Sequence, residues 1–189
     1  MKIFDCFMYF DEEVVLDLRL NTLNEYVDYF VIVESLFNHK GQERDLKFNL
    51  KKFEKFSKKI IYLVYDKVHD KIEPINPADN EVEKSRKYIF NAYLRENAQR
   101  NYIIEGLNNA DQSDIILVSD VDEIPNLEKI DFEKISEKII FFKQDMFYYK
   151  FNLKLPSFIW TGTKACKKKD LLSPQWLRNI KDKKYPFYR

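Results

Sequence analysis

Apolar, β-branched and aromatic residues gather in short runs at Ile3 to Phe10, Tyr29 to Val33, Ile60 to Tyr65, Ile115 to Val118 and Ile139 to Phe142. Runs of this length, bounded by polar or turn-forming residues, read as strands. Between them, Glu12 to Leu23, Leu46 to Phe56 and Glu81 to Leu107 have helical character, and a further helix is suggested at Asn126 to Ile135. Strands alternating with helices predict an α/β fold around a central, mainly parallel mixed sheet flanked by helices. Asp66 to Asn80, with Pro74 and Pro77, is the expected long surface loop. With no internal repeat and no Ser/Gly-rich linker, residues 1–189 read as a single domain.

Sheets of this kind bind ligands beyond the carboxyl ends of their strands. Two such ends carry polar residues. One is Val33-Glu34-Ser35, followed by the polar loop Leu36 to Gly41; the other is Ser119-Asp120-Val121-Asp122-Glu123-Ile124-Pro125. In extended backbone, residues two apart share a face, so Asp120 and Asp122 would aim both carboxylates at one point while Glu123 turns away. Adjacent carboxylates repel, and a hard divalent cation, Mn²⁺ or Mg²⁺, relieves that repulsion while leaving positions open for phosphate. The same acids would also suit a solvated turn or the cap of the helix behind them.

The long helical segment adds a second signal. At about 100° per residue, Ile89, Tyr93, Glu96, Arg100, Ile103 and Leu107 fall on one stripe, which places Glu96 and Arg100 on the face that should pack against the sheet. Either they form an internal ion pair at i,i+4 spacing, or Arg100 reaches the cleft with Glu96 orienting it. A third signal is Asp145-Met146-Phe147-Tyr148-Tyr149-Lys150-Phe151-Asn152, with Trp160 and Gly162 beyond. Tyr148, Tyr149 and Trp160 suit stacking on sugar faces, with Asp145 beside them to bond hydroxyls, although aromatic strands more often form core.

Composition narrows the chemistry. The three glycines, Gly41, Gly106 and Gly162, lie too far apart to build a phosphate-cradling loop, so a nucleotide's charge must be met by other means. Lys plus Arg (32) nearly balance Asp plus Glu (31), a formal charge of +1, which gives no reason to expect a nucleic-acid partner. Cys6 and Cys166 sit at no metal-ligand spacing and read as free thiols. Asp5 and Asp11-Glu12-Glu13 interrupt the N-terminal apolar run, so no signal peptide or transmembrane segment is expected, and the location expected is cytoplasmic. From Lys164 onward basic residues dominate, through Lys167-Lys168-Lys169 and Lys181 to Lys184: a solvated face, or a surface for an anionic acceptor or peripheral membrane contact.

Taken together, Phe4-Asp5 with Phe7, Val33-Glu34-Ser35 with Gly41 and Leu46-Lys47-Phe48, Glu96 with Arg100, Ser119 to Pro125, and Trp160 with Gly162 give the chain a pattern that resembles glycosyltransferase family 17 nearly end to end. That family contains the β-1,4-mannosyl-glycoprotein N-acetylglucosaminyltransferase. The resemblance implies a GT-A-like fold, a nucleotide-sugar donor such as UDP-GlcNAc, a glycan acceptor, and a divalent metal gripped by the Asp-x-Asp motif. It implies Asp122 as the metal ligand on the diphosphate, Asp120 on ribose or metal-bound water, and Glu34 near the nucleoside, with Lys47 and Arg100 also on the donor side. The family pattern continues with a Gly-Trp-His segment where this sequence ends at Tyr185-Pro186-Phe187-Tyr188-Arg189. The expectation is therefore a short or truncated form without the late histidine that often serves as a third metal ligand.

The expected function is metal-dependent, inverting transfer of a sugar from a nucleoside diphosphate to a glycan hydroxyl. Asp145 and Glu123 are the candidate general bases, Asp145 preferred because Glu123 would face away from Asp122. The rivals are a non-catalytic nucleotide-sugar or glycan-binding module and a metal-dependent phosphohydrolase using the same acids.

Overall fold

In the computed structural model, which describes residues 1–150 and 152–182, all five apolar runs become strands of one sheet. Phe151 of the aromatic stretch and Lys183 to Arg189, with the end of the basic run, lie outside the described residues. The strands are β1 (Ile3–Tyr9), β2 (Tyr29–Ser35), β3 (Ile60–Tyr65), β4 (Ile115–Ser119) and β5 (Ile139–Phe141). A two-stranded ribbon, β6 (Gln144–Phe147) and β7 (Lys154–Trp160), precedes β8 (Lys164–Lys167). The main sheet has the order β3-β2-β1-β4-β8-β5; β3, β2, β1 and β4 run parallel, and β8 is antiparallel to both of its neighbours.

This order contains a topological switch. The chain leaves β1 toward β2 and β3, then returns to lay β4 on the opposite side of β1, so the connections diverge and open a crevice beyond Tyr9 and Ser119. Both faces of the sheet are covered. On one, Phe7 and Tyr9 of β1 and Ile115 and Leu117 of β4 pack against Leu16, Leu20 and Leu23 of helix α1 (Glu13–Leu23). On the other, Phe4, Cys6, Ile116 and Val118 meet Ile103 and Leu107, which follow helix α2 (Glu81–Asn101), and Leu177 of helix α3 (Pro174–Asn179). Alternation along β1 and β4 supplies both cores at once. Gly106 makes the close approach on the second face possible, since a Cβ there would lie 2.5 Å from Val31 Cγ1.

Several expected elements come out differently. Leu46 to Phe56 is not one helix; only Leu50–Phe56 coils, as 3₁₀ turns, because the amides of Lys47 and Phe48 donate to the Glu34 carboxylate. The segment Asn126 to Ile135 forms no α-helix either. Asn126 accepts from Glu128 N and Asp131 from Glu133 N, and such local side-chain turns compete with helical bonding. The long helix starts as expected, with Asn80 and Glu83 making a reciprocal capping box, but it ends at Asn101 and tightens to 3₁₀ over Tyr102–Leu107. Its stripe is not uniformly inside: Arg100, Ile103 and Leu107 are buried, whereas Ile89 is 72% and Tyr93 51% exposed. The N-terminal half of α2 runs past the edge of the apolar packing. No helix among the described residues is long and apolar enough to cross a membrane.

Candidate active site

Ser119-Asp120-Val121-Asp122-Glu123 does not continue as extended backbone. It turns, with Glu123 N donating to Asp120 O, which removes the premise that Asp120 and Asp122 share a strand face with Glu123 turned away. The cause is a residue outside the motif. Arg19 of α1 is fully buried and donates through Nη1 to the carbonyls of Asp120, Val121 and Glu123 at 2.9, 3.1 and 3.1 Å. Collecting three carbonyls at one guanidinium demands a bend. Arg19 in turn is neutralised by Asp5 of β1, which accepts from Nε at 2.8 Å and from Nη2 at 2.6 Å, and it also donates to Ser119 Oγ. A charge buried this deeply needs such a partner.

The side chain of Asp120 meets two further arginines. Asp120 Oδ1 accepts from Arg100 Nη2 at 2.9 Å, and Oδ2 from Arg178 Nη2 of α3 at 2.8 Å. Arg100 also donates to Glu96 and Gln175, so the i,i+4 ion pair forms, and Arg100 touches the motif through Asp120 while lining neither cleft. Burial alone would raise the Asp120 pKa, but Arg178 and Arg100 outweigh it and hold the group below its ordinary value. Conversely, burial would lower the Arg178 pKa, and Asp120 with Glu123 overrides it and raises it. Glu123 is buried and saturated: Oε2 accepts from Asp120 N at 2.8 Å, and Oε1 from Arg178 at 2.8 Å and from Trp160 Nε1. Gly162 is required here, since a methyl group on it would fall 1.9 Å from Glu123 Oε1. Beneath Arg178, buried Lys164 donates to the Arg178 carbonyl at 2.8 Å, and burial, then the Arg178 charge, brings its pKa down to about 8.

Asp120 and Asp122 form a wall shared by two clefts. One, about 300 Å³, opens at the switch point between β1 and β4, lined by Tyr9, Phe10, Phe37, His39 and Gln99 together with both aspartates. The other, about 310 Å³, is lined by the same aspartates with Glu123, Asp145, Phe147 and Trp160. A larger hollow, about 580 Å³, lies along the outer part of α2, and its lining carries no acid.

The structure therefore brings Asp120, Asp122, Glu123, Asp145, Trp160 and Arg100 together and separates other candidates from them. Glu34 lies beneath the surface, fully buried, its carboxylate taken by Arg44 Nη1, Tyr62 Oη and the amides of Lys47 and Phe48. It organises the 44–48 loop and does not line either cleft, so the direct nucleoside contact implied for it is not what its surroundings provide. Lys47 is exposed, and what ties it to Glu34 is its backbone. Tyr148 and Tyr149 stand at the ribbon tip, 46% and 97% exposed, outside the lining of the second cleft. The aromatic ribbon is not core. Asp145 is half-exposed and pairs with Lys154 at 2.8 Å.

Arg19, Arg178 and Gln175 escaped the sequence reading, and Lys164, counted there with a solvated or partner-facing basic run, is buried. Arg19 left a signal, falling among Leu16, Leu20 and Leu23 on the buried stripe of its helix. Arg178 left none, because a six-residue helix has too few positions to define a face.

Among the described residues, no three His, Cys, Asp or Glu side chains converge to enclose a metal ion. Asp122 is exposed and fits a different arrangement, in which one or two carboxylates hold a Mg²⁺-type ion carried mainly by phosphate oxygens. Asp120 would join it only by giving up an arginine.

A mainly parallel sheet with one cleft at its switch point and a second beside it, both bordered by Asp120 and Asp122, is an α/β architecture of the kind that binds ligands beyond its strand ends. The model of glycosyltransferase family 17 matches residues 1–171, and the chain belongs to that family: it is a glycosyltransferase, acting on a sugar donor and an acceptor. No curated protein and no solved structure matches the chain.

Proposed function

We propose that this glycosyltransferase moves a sugar, on the family's example N-acetylglucosamine, from a nucleoside-diphosphate donor in the cleft at Tyr9, Phe10 and Phe37 to a glycan hydroxyl in the cleft at Asp145 and Trp160. The observation that carries this reading is the shared wall: Asp120 and Asp122 border both clefts, so a diphosphate lying against them has its nucleoside on one side and its sugar on the other. The rings of the first cleft suit a base and ribose, and Trp160 of the second suits a sugar face. On this reading the fold is of the GT-A type.

The reaction requires the acceptor oxygen to attack the anomeric carbon as the bond to the diphosphate oxygen breaks, with inversion. The hydroxyl proton goes to Asp145. Glu123 is less suited because Trp160, Arg178 and the Asp120 amide already occupy its oxygens, whereas Asp145 is paired through one oxygen and half-exposed. Charge developing on the departing diphosphate is met by Arg178 beside Asp120. A divalent cation, Mn²⁺ or Mg²⁺, held by Asp122, would supply further charge neutralisation at the same oxygens.

Titration calorimetry with UDP and Mn²⁺ tests the donor side. Binding by the wild type and its loss in Asp122→Ala are expected; undiminished affinity in that variant removes Asp122 from the site. Product analysis tests the reaction class. Sugar released into water at the same rate with and without glycan acceptors would instead favour hydrolysis by the same acids.

A further inference from the structure

The two arginines on Asp120 are not equivalent. Arg100 is sealed, its side chain 3% exposed, and tied to Glu96 and Gln175 as well as to Asp120. The Arg178 side chain is 15% exposed and lies against three residues of the second cleft's lining, 5.7 Å from the Trp160 ring centre and with one nitrogen shared between Asp120 and Glu123. Its other terminal nitrogen donates to the Gly162 carbonyl at 2.9 Å. With Arg178 in place, both oxygens of Asp120 are engaged, and a bare cation approaching them meets two fixed positive charges. A diphosphate changes that balance. It brings negative oxygens to which a guanidinium can turn, and forked donors suit phosphate as well as carboxylate.

We propose that Arg178 competes with the divalent cation for Asp120. It holds the carboxylate while the cleft lacks a diphosphate and moves onto the diphosphate when one arrives, releasing Asp120 to the cation that comes with it. The proposal rests on the donor site described above. Its consequence is an order of binding: the cation enters as its nucleotide complex. Arg100 stays where it is and keeps Asp120 oriented throughout.

The test is uptake of Mn²⁺ by the full chain, followed by the electron paramagnetic resonance of the free ion, with and without UDP. The wild type is expected to bind Mn²⁺ weakly alone and strongly with UDP. In Arg178→Gln, affinity for Mn²⁺ alone should rise about 5-fold or more, because a competing charge is gone, while affinity for the Mn²⁺–UDP pair falls about 10-fold. Adding Asp120→Asn to Arg178→Gln should abolish the gain. A purely structural Arg178 would lower both affinities, and unchanged or weakened binding of Mn²⁺ alone overturns the proposal. Should Arg178→Gln fail to fold, Arg178→Lys carries the test: its single-point charge should give a gain of about 2-fold, and no gain overturns the proposal. If the wild type takes up no Mn²⁺ with UDP, the donor site itself is wrong. Uptake by the wild type that Arg178→Gln leaves unaltered removes only the role of Arg178.

Discussion

Arg19 and Arg178 hold the same turn from opposite sides. From within, Arg19 grips backbone: three carbonyls of residues 120 to 123, with Asp5 closing the charge balance and both side chains fully buried. From without, Arg178 grips side chains, Asp120 and Glu123, that line the second cleft. The difference is one of exchangeability. A guanidinium with buried partners has nowhere to go, since any rearrangement strands a charge in the interior. One beside a cleft can trade a carboxylate for a ligand oxygen at little net cost. The inner arginine thus sets where the acids sit, and the outer one bears on what they can bind.

Removing the inner charge balance should have the largest effect. Asp5→Ala leaves Arg19 buried and unpaired, and a loss of about 3–5 kcal/mol in chemical denaturation is expected. Asp5→Leu combined with Arg19→Met strands no charge, although it leaves the three carbonyls unpaired, and should cost less than the sum of the two single variants; a cost equal to that sum would deny the coupling.

Lys164 probes the outer half through pH. Its pKa in the folded chain, about 8, is below its ordinary 10.5. Below pH 8 both states hold the proton and the burial penalty is full. Between about 8 and 10.5 the unfolded chain binds more protons, so this residue's contribution to stability rises with pH by about 2–3 kcal/mol. The thiols of Cys6 and Cys166, both pushed up by burial, act in the opposite sense above pH 9. The comparison is therefore wild type minus Lys164→Met, in which the thiol contributions cancel and the rise should remain.

Gly162→Ala tests the seam between the halves. A methyl group 1.9 Å from Glu123 Oε1 must push the carboxylate away from Arg178 or shift the end of β7. About 1–3 kcal/mol of stability and most of the turnover should be lost. The smallest effect on stability belongs to Asp145→Asn, a half-exposed site, where the change should stay within about 0.5 kcal/mol. Turnover should nevertheless fall about 10²–10⁴-fold with UDP affinity unchanged; unaltered turnover would rule Asp145 out as the base.

Much of the scaffold was legible because burial leaves a local record. All five apolar runs became sheet strands, and the acids behind Val118 lie at the switch-point crevice that their position implied. Errors clustered where local bonding competes with the periodic pattern. Asn126 and Asp131 made side-chain turns in place of a helix, and Glu34 drew the amides of Lys47 and Phe48 out of one. Glu34 itself read as a cleft residue because it ends a strand. Its burial follows from Arg44 and Tyr62, which the strand pattern does not reveal.

The sequence by itself determined the alternation of strands and helices, the want of a glycine-rich phosphate loop, and the placing of three acids behind a buried strand. Each follows from neighbours in the chain, whose spacing sets which side chains share a face. Only the tertiary structure decided that the acids occupy a turn, that Asp120 lies between two guanidiniums, and that Glu123 is locked under Trp160. Arg19 reaches the Asp120 carbonyl across 101 positions and Arg178 the Asp120 carboxylate across 58, and contacts at such separations exist only once packing has closed the intervening chain.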